Sequence, residues 1–181
     1  MNLSASNSPL LAIGFLLVIT GVTAEPAILD EKPCLDTAGL LIIGEIEQVT
    51  FGPQGLRLEA RIDTGAETSS LGIISRQTFE RDGTEWLRFR VNDPSGEEAV
   101  EFERPLVRTV EIKRHGAEPM VRAVVTLTLT IDNVEMEREF SLADRSKYEF
   151  PVLIGRNVLA GKYLVDVNRI FSTTRVGGRE E

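Results

Sequence analysis

The chain has 181 residues, 42% hydrophobic and 27% charged, with 28 acidic against 20 basic side chains and a formal net charge of -8. That is enough apolar material for one packed domain and excludes wholesale disorder, while the acidic balance excludes nucleic acid as an expected partner. One cysteine (Cys34) and one histidine (His115) exclude an internal disulfide framework and leave too few soft ligands for a zinc site, so no metal and no other cofactor is expected.

Residues 1–24 differ from the rest. Leu10 to Ile19 is a continuous apolar run that ends at Val22-Thr23-Ala24, with small residues where signal peptidases read. The run is short for a bilayer span and fits a cleaved secretory signal. No Lys or Arg precedes it, so an uncleaved N-terminal anchor is the alternative. Either reading places the remainder in the periplasm or outside the cell. Residues 25–39 carry Pro26, Pro33 and Gly39 and read as a linker or arm, with Cys34 a free thiol.

The expected domain spans 40–171, with a tail at 172–181. Leu40 to Val49 is its first strand, and Phe51-Gly52-Pro53-Gln54-Gly55 a turn. Leu56, Leu58, Ala60 and Ile62 then alternate with charged residues, which predicts a half-buried strand. It breaks at Asp63-Thr64-Gly65. Asp63 is there either as a turn former or as a catalytic acid, and the motif alone leaves both open.

Leu71 to Ile74 is a short apolar segment. Leu87, Phe89 and Val91 mark a strand before the turn at Asn92 to Gly96, and Val100 and Phe102 mark another that breaks at Pro105. Val110 and Ile112 mark a further strand before a basic turn in which His115 reads as a solvated surface side chain. The longest signal runs from Val121 to Ile131, with Val121, Ala123, Val125, Leu127, Leu129 and Ile131 on one face. Asp132-Asn133 turns it back through Val134, Met136, Phe140 and Leu142. Val152-Leu153-Ile154 is a buried strand running into Gly155. A short helix over about 157–160 is ended by Gly161, and a strand returns at 163–167. Short strands with frequent turns predict an all-β barrel or sandwich. Gly155 to Gly161-Lys162 is no phosphate loop, because five residues separate the glycines and Tyr163 follows the lysine.

The strand ending in Asp63-Thr64-Gly65-Ala66-Glu67, followed by Pro151-Val152-Leu153-Ile154-Gly155-Arg156-Asn157-Val158-Leu159, resembles the retropepsins, single-domain aspartic proteases. The resemblance covers most of residues 40–168. Ala60 to Leu71, with Leu142-Ala143-Asp144-Arg145, is more narrowly similar to a bacterial retropepsin-like family often labelled ATP-dependent zinc protease, whose members are associated with ATP-grasp peptide ligases. Gly72 departs from that family, many of whose members continue Leu-His-Ala. No glycine-rich flap hairpin stands out between 72 and 118, though Asp82-Gly83 or Ser95-Gly96 would serve.

The resemblance implies a closed all-β barrel with one short helix near the C-terminus. It implies an aspartic endopeptidase acting on a peptide or unfolded protein. Such chemistry uses two carboxylates about 3 Å apart sharing one proton. The chain has one Asp-Thr-Gly, so a homodimer would supply Asp63 twice. Thr64 would bond across the two-fold axis, Gly65 would let substrate approach, Ala66 would follow in the turn, and Arg156 would pair with Glu67. The alternative is a catalytically silent module that grips a peptide in the same groove. A third reading restricts the enzyme to ligase-made peptides.

Overall fold

Strand β3 (Leu56–Ile62) is the axis of the structure, and its burial alternates strictly: Leu56, Leu58, Ala60 and Ile62 are buried, while Arg57, Glu59 and Arg61 are exposed. This is the period-two pattern of a strand with one face on a core. The computed structural model describes residues 39–172, Glu97, His115 and Gly116 excepted. The expectations for the leader, for Cys34 and most of the arm, for His115 and for residues 173–181 lie outside the described residues.

Six strands close a barrel around β3. Its neighbours are β2 (Ile46–Phe51), antiparallel, and β11 (Val152–Ile154), parallel. Beyond β11 lies β4 (Ser69–Gly72), then β10 (Val134–Ala143), which pairs with β9 (Ala117–Ile131), and β9 returns to β2. Closure removes the open edges a small sheet would otherwise present. Strand β8 (Arg108–Arg114) continues outward from β9. The fold is the expected all-β, retropepsin-like closed barrel.

A second sheet of β5 (Ser75–Arg81), β6 (Thr84–Val91) and β7 (Val100–Pro105) packs on the barrel. Leu87, Phe89, Val91 and Phe102 join the same core as Phe51, Leu58, Leu127, Leu129 and Phe140. Phe51 meets Phe140 edge-on at 5.3 Å, and Phe89 stacks on Phe102 at 5.5 Å. Each such ring contributes about 1.5–3 kcal/mol by burial alone.

Several boundaries differ from expectation for physical reasons. The first expected strand is two, β1 (Leu41–Ile43) and β2, because they pair differently: β1 runs parallel to β12 (Tyr163–Val165). The break between them is fixed by the fully buried Glu47, whose Oε1 accepts from the Gly44 N–H (2.6 Å) and from the Ser172 N–H (3.1 Å). Strand β5 was not marked by hydrophobicity, since it has no buried residue and is held by pairing with β6. Helix α1 runs Arg156–Leu159, one residue earlier than expected. Gly161 follows at φ +72°, a left-handed exit that suits glycine, and the Lys162 N–H closes onto the Leu159 carbonyl.

Candidate active site

The barrel's strand order sets the site. β11 lies between β3, which leads into Asp63, and β4, which leads away from it. Because β3 and β11 are parallel, both expected motifs emerge at the same barrel end. The Asp63 N–H donates to the Ile154 carbonyl (2.9 Å), so the aspartate is pinned at the strand's last rung.

The Asp63 side chain is half-buried, and its Oδ1 accepts from the Gly65 N–H (2.9 Å) and the Ala66 N–H (3.2 Å). Aspartate commonly closes a turn this way. Among the described residues its Oδ2 has no hydrogen-bond partner. Asp63 is therefore a turn former through Oδ1, and Oδ2 takes no part in the turn. Thr64 and Gly65 are exposed beside it.

Behind the turn, the two motifs are bolted together through small polar groups. The Arg156 N–H donates to the Ala66 carbonyl (2.8 Å), and the Asn157 N–H to the Glu67 carbonyl (3.1 Å). Asn157 Oδ1 accepts from the Ser69 N–H (2.9 Å) and from Ser69 Oγ (2.8 Å), and its Nδ2 donates to the Glu139 carbonyl (2.8 Å). Ser69 Oγ in turn accepts from the Gly155 N–H (2.9 Å). Gly155 must be glycine for space, because a Cβ there would lie 2.9 Å from the Ala66 carbonyl oxygen.

Arg156 corrects one expectation. Its Nη1 donates to the carbonyls of Thr64 (3.1 Å) and Gly65 (2.6 Å), and no ion pair joins it to Glu67 among the described residues. At the first turn of α1 the guanidinium lies over the turn's main chain, whose two outward carbonyls match its fork of donors. Glu67 takes part through its backbone, and its side chain is exposed. Ser69 and Asn157 carry the joint that Arg156 and Glu67 were expected to carry. Both lie within the motif stretches, and short polar residues next to the turn and at the helix start were the available signal.

Next to the turn is a cavity of about 500 Å³. Ala66, Thr68, Ser70 and Leu153 border it from the barrel, and Val110 and Ile112 of β8 from outside. Neither Asp82-Gly83, which turns β5 into β6, nor Ser95-Gly96 borders it, so the hairpin beside Asp63 is β8–β9. Three arginines line the cavity: Arg145, which lies in the Leu142 to Arg145 stretch of the resemblance, and Arg108 and Arg122, which no sequence pattern marked. Arg108 is neutralised by Glu139 (2.7 Å). Arg145 stacks on Tyr148 (4.7 Å) and donates through Nε to the Phe150 carbonyl (3.0 Å). Burial pushes its guanidinium below the ordinary arginine value; Tyr148 opposes that shift, the Arg122 cation adds to it, and the Asp63 carboxylate opposes it. Arg122 makes no hydrogen bond or ion pair among the described residues, and its Nε is buried.

A family model, "RimB-like: Retropepsin-like aspartic endopeptidase RimB", matches residues 42–176. The chain belongs to the RimB-like family. A solved structure from Legionella pneumophila, Lpg0085, a DUF785 protein of unknown function, superposes with a TM-score of 0.65 at 30% identity, covering 73% of this chain and 97% of that one. Two curated relatives bear the name "Probable alpha-L-glutamate ligase". The one from Desulfotalea psychrophila is 31% identical over 69% of this chain and 28% of its own length, and the one from Shewanella pealeana is 28% identical over 77% and 31%. The RimB-like chain thus spans less than a third of these relatives. The zinc in the label often given to its kin does not fit the residues here: among the described residues no three His, Cys, Asp or Glu side chains are grouped to hold a metal ion.

Proposed function

We propose that this RimB-like protein is an aspartic endopeptidase whose two-carboxylate centre is completed by Asp63 of a second copy. The observation that carries the reading is the Asp63 turn, with Oδ1 tied to two backbone N–H groups and Oδ2 unpartnered among the described residues. In a pair of such chains the two carboxylates share one proton, because like charges that close cannot both ionise. The ionised member takes a proton from a water that attacks the peptide carbonyl, and the protonated member polarises that carbonyl. The exposure of Thr64 and Gly65 supports a second copy meeting the first at this turn.

A specific observation favours a substrate class. Arg122 and Arg145 border the cavity next to the Asp63 turn with no ion-pair partner among the described residues, and the curated relatives carry a glutamate ligase name. We read the substrate as a peptide rich in glutamate, such as a ligase would make, and the protein as a functional counterpart of such a ligase.

The test is cleavage by the purified protein of a glutamate-rich oligopeptide and of an unfolded protein, alongside Asp63→Asn. Cleavage lost by about 10³-fold or more in the variant is the expected result. Equal cleavage by Asp63→Asn would overturn the endopeptidase reading. Binding without turnover in the wild type would favour the silent peptide-gripping module.

A further inference from the structure

Two residues lining the cavity next to the Asp63 turn each carry a buried polar atom that has no partner among the described residues: Ser70 Oγ and Arg122 Nε. Ser70 is 4% exposed. Buried polar groups in folded proteins are almost always bonded, and a donor left without an acceptor is destabilising, more so when charged. Two such orphans on one cavity wall mark a place where an acceptor-rich ligand group belongs.

The surroundings define that group's charge. Arg108 is spoken for by Glu139, and Arg145 Nε by the Phe150 carbonyl; among the described residues neither Arg122 nor Arg145 is in an ion pair, although the Asp63 carboxylate acts on Arg145 from a distance. Two acids, Glu67 and Glu111, also border the cavity, and both are exposed, where solvent screens them. Arg122 as a whole is half-buried, so its attraction for an anion is less screened than the pull of the exposed acids. A guanidinium edge takes a carboxylate through parallel hydrogen bonds, and a hydroxyl beside it completes the carboxylate's acceptor capacity.

We propose that Arg122 and Ser70 form the specificity pocket of the site and receive the side-chain carboxylate of a substrate residue flanking the scissile bond. This rests on the endopeptidase reading and adds to it which residues read the substrate. Arg145 supports the pocket by adding a second positive charge near its wall. The apolar side chains of Leu153, Val110 and Ile112 would pack the substrate's methylenes, as clefts of this kind usually do.

The experiment uses two peptide series that are identical except for Glu or Gln at one position at a time around the cleavage point. It compares wild type with Arg122→Gln, Arg122→Lys and Ser70→Ala. Wild type is expected to favour Glu over Gln by about tenfold or more in kcat/KM at one position. Arg122→Gln should bring the Glu-to-Gln ratio of kcat/KM to about one, whatever its absolute rate, and Arg122→Lys should restore part of the preference. Ser70→Ala should lower cleavage of the Glu peptide alone. A Glu preference that survives Arg122→Gln overturns the pocket, even if cleavage is normal. Titration of the same peptides into Asp63→Asn, with and without Arg122→Gln, separates the two proposals. An Arg122-dependent Glu preference in binding, with no turnover by wild type, would support the pocket and sink the peptidase reading.

Discussion

At Asn157 one carboxamide meets three partners on two strands, and with the backbone bonds from Arg156 and Asn157 to the Ala66 and Glu67 carbonyls it joins the segment after Asp63 to the helix start. Replacing it with alanine strands the Ser69 N–H and hydroxyl and the Glu139 carbonyl in a half-buried joint. Asn157→Ala is expected to lower unfolding stability by about 2–3 kcal/mol, read from urea midpoints, and to lower activity more than Arg156→Ala does. Arg156 is exposed and serves backbone carbonyls that water would also satisfy. Residue-level legibility in the sequence followed local grammar. Asp63, Gly155 and the turn residues stood out because a strand end and a tight turn demand particular side chains. Arg122 did not, because a single charge on a strand has no pattern, and Arg145, though within a motif stretch, gave no sign of its place; only the closed barrel brings the two to one cavity.

At the scale of elements, β11 is the piece on which the site depends, since three residues hold β3 and β4 apart and carry Gly155 to the Asp63 turn. Gly155→Ala keeps an ordinary extended backbone, φ -97°, so its cost is steric alone. The added methyl meets the Ala66 carbonyl, and a loss of about 1–3 kcal/mol with a displaced Asp63 turn is expected. Strand β12 offers a pH test. Burial pushes the Tyr163 phenol from 10.0 up to about 12, and its hydroxyl has no partner among the described residues. The folded state therefore holds this proton more tightly than the unfolded chain does. Stability is unaffected below pH 10 and falls as pH rises from about 10 through 12. In Tyr163→Phe that alkaline loss should shrink while stability at pH 7 stays equal or rises, as paired urea curves at pH 7 and pH 11 would show. Strands with one buried face, such as β3, were legible from alternation. The exposed β5 was not, because its pairing with β6 is a tertiary fact its own residues do not encode.

At the scale of the molecule, the barrel gives each chain a rigid end on which a single aspartate is presented. Closure by the β9–β10 and β2–β9 pairings, with Phe51 and Phe140 packed within, fixes that end far more firmly than a loop would. The barrel class was readable from many short strands and one buried run near the C-terminus, whereas the order of strands was not, since β11 enters between β3 and β4 from ninety residues away. The central claim is that activity needs two copies of Asp63 in one assembly. The most direct measurement mixes wild type with Asp63→Asn at equal amounts, allows subunits to exchange, and reads activity per total protein. If each active unit needs two intact aspartates, the mixture should retain about one quarter of the activity of the same total amount of wild type. Retention of about one half, the value for chains that work independently, would contradict the account.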